Sequence, residues 1–169
     1  MSHFAVYEPE RHGVPDPAVA LRVAQPADVD GILAVAATRG PVRFADRLGP
    51  WVADPERYVV VAQLESAVVG WGMAAPWFGF DDAPDGLYVS ALTVAPAARR
   101  RGVGERLLVD LIAWAEPRSA MLGSVINANN GPSLDLHVRH GFREVARSDT
   151  FAGITFTGGV GVLLVRDAA

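Results

Sequence analysis

Apolar and polar positions along the chain repeat with two periods, and the changes of period divide it into elements. Val19-Ala-Leu-Arg-Val-Ala24 alternates as a short strand does. Pro26-Ala-Asp-Val-Asp then predicts a helix start, with proline in the first turn and acids at its positive end; Val29, Ile32, Leu33 and Ala36 form its apolar face. Phe44, Leu48, Trp51 and Val52 also recur at helical spacing, but Gly49-Pro50 interrupts them, so residues 41–56 are expected to hold a helix broken in the middle.

Tyr58–Leu64 and Ala67–Ala74 are β-rich runs separated only by Glu65-Ser66, the length of a tight hairpin. A loop with Pro76, Gly79 and Pro84 leads to a third run, Leu87–Val94, which completes an antiparallel meander. Val103, Leu107, Leu108, Leu111, Ile112 and Ala115 share one side of a helix that Pro117 ends. Met121–Ile126 reads as a buried strand and residues 132–140 as a short helix opened by Pro132 and closed by Gly141. Phe142–Arg147 and Thr155–Val165 are the last two strands expected.

Residues 1–18 keep no apolar period, and Pro9, Gly13, Pro15 and Pro17 punctuate them, so they are expected to be an irregular arm ahead of one domain over residues 19–169. The element order predicts a mixed α/β (α+β) layer arrangement around one central sheet. Such an order does not name a function.

Half of the 169 residues are apolar, enough for a core without metal or disulfide help. Cysteine is absent, which removes disulfides, thiolate metal sites and cysteine nucleophiles and suits a reducing cytoplasm. The polar, proline-broken start is unlike a secretory signal, and no apolar run reaches membrane-spanning length, so a soluble cytoplasmic protein is expected. A net charge of −4 argues against a nucleic-acid partner.

In that acidic chain Val94-Ala-Pro-Ala-Ala-Arg-Arg-Arg-Gly-Val-Gly104 sets three arginines and two glycines between a strand and a helix. The free N–H groups of a helix start suit a phosphate or pyrophosphate, glycines let a ligand touch the backbone, and arginines add fork-shaped bonds. A solvated charge cluster capping a surface helix is the plain alternative. The Walker pattern needs Gly-Lys-Ser/Thr, which is missing, and the dinucleotide fingerprint needs a third glycine where Leu107 stands.

Leu92-Thr-Val-Ala-Pro followed by Arg99-x-x-Gly102-x-Gly104 resembles the coenzyme A signature of the GCN5-related N-acetyltransferase (GNAT) superfamily, and the element order from Val19 to Val165 is similar to that fold, a mostly antiparallel central sheet flanked by helices. The resemblance implies that Leu92, Thr93, Val94, Arg99, Arg100, Arg101, Gly102, Val103 and Gly104 hold acetyl-CoA, with backbone amides on its pyrophosphate and the Val94 N–H polarising the thioester oxygen. It implies no metal and direct attack on acetyl-CoA by the primary amine of a small molecule, an amino acid or its analogue being the candidate acceptor; a homodimer is compatible with it.

A second stretch, Asn130-Gly-Pro-Ser-Leu-Asp-Leu-His-Val-Arg-His-Gly-Phe142, puts Ser133 and His137 four apart on one helix face, just after Asn130. A solvated polar stripe would look the same. The superfamily commonly has tyrosine four residues before Gly-Phe; His137 stands there instead, which is similar to the phosphinothricin and methionine-sulfone N-acetyltransferase branch. The resemblance implies that His137 is catalytic or close to the acceptor, and that Asn130 and Ser133 lie by the cofactor.

Family members often carry a basic glutamate on the fourth strand, but Leu87–Val94 contains no carboxylate. With an ordinary pKa near ~6.5, His137 is the expected base, directly or through water held by Ser90, Tyr88 or Asn130. Asp81, Asp82 and Asp85 are alternatives in the preceding loop. Phe44, Trp51, Trp77, Phe78 and Phe80 are candidates to line the acceptor pocket. Acetylation of a peptide or protein N-terminus, or a non-catalytic acyl-CoA-sensing role, are the competing functions.

Overall fold

The computed structural model describes residues 4–169; residues 1–3 of the expected arm lie outside the described residues. Strands β1 (Val19–Val23), β2 (Tyr58–Leu64), β3 (Ala67–Trp77) and β4 (Gly86–Val94) form an antiparallel meander in sheet order. The sheet continues through β5 (Met121–Asn127), and β9 (Gly161–Asp167) inserts between β5 and β6 (Arg143–Ser148), so the order is β1-β2-β3-β4-β5-β9-β6. A separate two-stranded hairpin, β7 (Thr150–Phe151) with β8 (Ile154–Thr155), interrupts the last connection.

Both faces of the sheet are covered, which is why β2 reads as a continuous apolar run rather than an alternating one. Val60 and Ala62 on one face pack with Leu107, Leu108 and Leu111 of helix α3 (Val103–Ala115). Val59 and Val61 on the other pack with Ile32 and Val35 of α1 (Val29–Ala37) and Leu48 of α2 (Ala45–Ala53). The entrance to α1 is pinned by Asp28, which accepts from the Gln25 N–H at 2.7 Å and takes two bonds from Arg22 at 2.7 and 2.8 Å.

Three element expectations need correction. The helix over residues 41–56 is not broken: α2 runs through Pro50 as one nine-residue helix. Its apolar side holds it together, with Leu48 fully buried and Phe44 stacked 5.6 Å from Trp51 and 5.7 Å from Trp71. The final strand begins at Gly161 rather than Thr155, because Gly158 and Gly159 turn the chain at φ +87° and +79°. β3 also runs on past Ala74 to Trp77; Pro76 lies beyond the last β2–β3 pair, where its missing N–H breaks no ladder on that side.

The feature that positions the site is at the middle of the sheet. β4 and β5 run parallel, as the only parallel neighbours among the described strands, but pair only over Leu87–Val89 and Leu122–Ser124. Beyond Val89 the two strands part. The register of β4 against β3 also slips by one residue there, leaving Ser90 as a bulge. The sheet therefore splits open on the C-terminal side of β4.

Candidate active site

Backbone groups line this split before any side chain does. The Ala95 N–H donates to Val69 of β3 at 2.8 Å. Strand groups alternate in direction, so Leu92 and Val94 turn their N–H groups the other way, into the gap that β5 has left. Leu92 borders three cavities, of about 160, 280 and 350 Å³, whereas Val94 borders the first of these and a fourth of about 480 Å³.

At the end of β4 the chain passes through a single 3₁₀ turn, Pro96–Ala98, and enters α3 at Gly102. The first bond closed there is Arg106 N–H to Gly102 carbonyl, at 3.1 Å, so the amides of the preceding turn have no helical acceptor. Gly102 is at φ +67°, where a Cβ would also stand 2.9 Å from Pro15. Gly104 borders two cavities; a Cβ there would make only ordinary contact with Val94 and Leu136. These groups fit a pyrophosphate: free amides, a glycine at the surface of the cleft, and Arg99 on both the 480 and the 160 Å³ cavities.

Arg100 and Arg101 are differently engaged. Arg100 pairs with Glu8 at 2.8 Å, although it still lines the larger cavity, and Arg101 pairs with Asp16 at 3.1 Å and lines none of the four.

Helix α4 (Gly131–Arg139) forms the other wall. Asn130 caps it, accepting from the Ser133 N–H through its backbone carbonyl at 3.1 Å and its side chain at 3.4 Å. Asn130 and Ser133 both line the 160 and 280 Å³ cavities. His137, one turn on, lines the 280 Å³ cavity and is 1% exposed. Its Nδ1 lies 2.8 Å from the Ser133 carbonyl, its ring meets Phe142 edge-on at 4.9 Å, and Nε2 has no partner among the described residues. Burial pushes this imidazole down to about 4, with the bond to Ser133 opposing and His140 assisting. The ordinary value expected from sequence is thus corrected: His137 is neutral, and a weaker base than a solvated histidine.

The 280 and 350 Å³ cavities share Ser90, Ala91, Leu92 and Arg39. Arg39, just past α1, is half-buried, lies 5.5 Å from the Phe4 ring and is 3.5 Å from the Leu92 carbonyl. Burial and then the Arg99 guanidinium hold it below the usual arginine range. Phe44 and Trp71 border the 350 Å³ cavity, and Trp71 Nε1 is buried without a partner among the described residues. No carboxylate lines either cavity among the described residues.

Several expected site residues are placed elsewhere. Tyr88 is fully buried, stacked 4.3 Å from Trp77, and donates its hydroxyl to the Pro84 carbonyl at 2.8 Å. It borders none of the cavities, because its ring lies over Gly123 of β5, where the two strands are still paired, short of the split. Burial, aided by Asp85 and Asp82, raises its pKa to about 12. Trp77 is spent on Tyr88 and on donating Nε1 to Ser90 Oγ at 3.1 Å; Phe78 and Phe80 are exposed, and Trp51 packs on Phe44. Asp82 and Asp85 accept from the Ala152 and Gly79 amides, and with Asp81 they stand outside the cavities. Arg39 and Trp71, and Thr155, Phe156 and Thr157 on the 280 Å³ cavity, line the cleft without having been expected from sequence; a charged residue closing an apolar helix was the one signal available for Arg39.

Residues 33–142 match the family model described as Acetyltransferase (GNAT) family. The chain belongs to this family. It is therefore an acyltransferase whose cosubstrate is acetyl-CoA. Similar solved structures include a ribosomal-protein-alanine N-acetyltransferase from Brucella melitensis, at 25% identity and a TM-score of 0.72 over 88% of this chain and 99% of that one. A GNAT superfamily phosphinothricin acetyltransferase from Sinorhizobium meliloti, in complex with acetyl-CoA, is 20% identical with a TM-score of 0.72 over 90% and 89% of the two chains. An N-acetyltransferase from Staphylococcus aureus is 21% identical with a TM-score of 0.74 over 89% and 99%. Comparison with curated proteins finds no match. No helix among the described residues is long and apolar enough to cross a membrane.

Proposed function

We propose that this GNAT protein acetylates a small primary amine that also carries an anionic group, as an amino acid or its analogue does. One observation carries the reading. Arg39 is a half-buried cation between two cavities lined, among the described residues, by no carboxylate, with Trp71 Nε1, which has no partner among them, on one cavity. A desolvated guanidinium without a counter-charge favours an anion and disfavours a polycation such as a polyamine.

Acetyl-CoA would lie along the split, with Arg99 and the amides around Gly102–Gly104 on its pyrophosphate, and it supplies the activated acetyl thioester. The N–H of Leu92 is better placed than that of Val94 to polarise the thioester oxygen, since Leu92 borders the acceptor cavities and Val94 the phosphate end. A base of pKa about 4 does not usefully deprotonate an ammonium of pKa ~10, a gap worth roughly 8 kcal/mol. The acceptor therefore arrives as the free amine, having lost its first proton to solvent. Its nitrogen attacks the thioester carbonyl, the C–S bond breaks, and the second amine proton passes to Nε2 of His137 and on to the departing thiolate. Ser90 Oγ, at the bulge, is the group to relay or orient that proton through water.

The likeness to the Brucella enzyme supports a second reading, acetylation of a peptide N-terminus. Release of free thiol from acetyl-CoA over a panel of amino acids, analogues, polyamines, aminoglycosides and peptides separates the two. Turnover restricted to small amines with a carboxylate, phosphonate or similar group is expected. Turnover restricted to peptides would support the second reading, and tight cofactor binding with no turnover would support a sensor.

A further inference from the structure

The arm ahead of β1 contributes more to the coenzyme A cleft than the irregular composition suggested. Its C-terminal half is bonded to the pyrophosphate turn: Val14 N–H donates to the Arg100 carbonyl and Asp16 N–H to the Arg101 carbonyl, both at 3.1 Å. Two glycines make the contact close. A Cβ on Gly13 would stand 2.8 Å from the Gly102 nitrogen, and one on Gly102 would stand 2.9 Å from Pro15. Arg100, a non-glycine residue at φ +64°, presents the carbonyl that Val14 takes.

Side chains repeat the attachment. Glu8 pairs with Arg100 and Asp16 with Arg101, while Arg106 of α3 donates to the carbonyls of Asp16 and Val19 at 3.3 and 2.7 Å, where the arm becomes β1. From the turn the arm runs back along the whole cleft. Residues 5–8 and 11–13 form one side of the 480 Å³ cavity, with Tyr7 lying on Gly131 at the start of α4. Ala5 and Phe4 reach the 160 Å³ cavity, and Phe4 ends against Arg39 at the acceptor cavities.

We propose that residues 4–16 are a strap belonging to the coenzyme A site, closing over the bound cosubstrate from its pyrophosphate to its acetyl end. In this arrangement Arg100 and Arg101 anchor the strap, and Arg99 is the arginine of the triplet left for phosphate. The anchored half, Gly13–Asp16, stays on the turn, and residues 4–12 lift for coenzyme A to enter and leave. The strap rests on the cosubstrate assigned through the family, and not on the nature of the acceptor. It lies outside residues 33–142, the stretch that the family model matches.

The test uses the full chain and coenzyme A. Trypsin cleavage after Arg11, followed by mass spectrometry, is expected to slow about tenfold or more at saturating coenzyme A, because the closed strap is withdrawn from the protease. Unchanged cleavage, with binding verified by calorimetry, overturns the proposal; no binding by calorimetry instead overturns the cosubstrate assignment. A chain lacking residues 2–12 is expected to release coenzyme A about tenfold faster in stopped-flow displacement. Equal release from a cooperatively folded truncation overturns the proposal, and so does tighter binding, which would make the arm a competitor for the cleft. If the truncation does not fold, the Tyr7→Ala, Glu8→Ala double variant carries the same expectation and the same refutation.

Discussion

Nδ1 of His137 lies 2.8 Å from the carbonyl oxygen of Ser133, one turn back on the same helix. A carbonyl only accepts, so Nδ1 carries the ring proton and Nε2 keeps a lone pair, buried and without a partner among the described residues. His137→Ala is expected to lower kcat by about 10²-fold or more, the usual worth of a positioned proton acceptor, with little change in acetyl-CoA affinity. Steady-state kinetics together with calorimetry check both halves.

Because burial sets His137 at about 4, acetylation should rise with pH as the acceptor amine itself deprotonates, with no inflection near ~6.5 in a kcat/KM profile. The same shift appears in stability. The folded value lies below the unfolded one, so the contribution is fully present above pH ~6.5 and is lost as pH falls toward 4, by up to about 3 kcal/mol. Urea unfolding at neutral and acid pH should show this loss, and His137→Leu should flatten it.

Gly104 borders the 480 and 160 Å³ cavities, and a side chain there would project into the space proposed for coenzyme A, since a Cβ meets only ordinary contacts at 3.7 Å from Val94 and 3.9 Å from Leu136. Gly104→Val is expected to abolish acetyl-CoA binding measured by calorimetry while the fold persists. Gly102→Ala acts differently: at φ +67° and against Pro15, it should cost about 1 kcal/mol or more in stability and loosen the arm. Thermal unfolding separates the two variants.

Tyr88 was legible in sequence as a site residue and is a core residue in the fold. Tyr88→Phe loses only the bond to Pro84, so about 1 kcal/mol of stability and no kcat is expected to change. A large kcat loss in a stably folded Tyr88→Phe protein would return the hydroxyl to the chemistry.

How much of this was readable beforehand follows from which signals are local. The strand, proline, arginine and glycine order from Leu92 to Gly104 is a contiguous pattern, so the strand-to-helix turn and the helix behind it were legible. The β-rich runs of β2 to β4, with only Glu65-Ser66 between the first two, likewise announced the meander. Tyr88 lies apart from the cleft because its ring covers Gly123 where β4 and β5 still pair, and nothing in Leu87–Val94 marks where that pairing ends. Pro50 misled in the opposite way: the packing of Leu48, Phe44 and Trp51 outweighs its local penalty. Arg39, Trp71 and the arm come from three distant stretches, and only the folded chain brings them to one cleft.

The most direct measurement compares an accepted α-amino acid with its decarboxylated amine, in the wild type and in Arg39→Met. The wild type should favour the carboxylate-bearing acceptor by about tenfold or more in kcat/KM, and Arg39→Met should erase that preference mainly through KM, leaving acetyl-CoA affinity intact. Equal use of both amines by the wild type, or a preference that survives Arg39→Met, would contradict an anion-binding acceptor site.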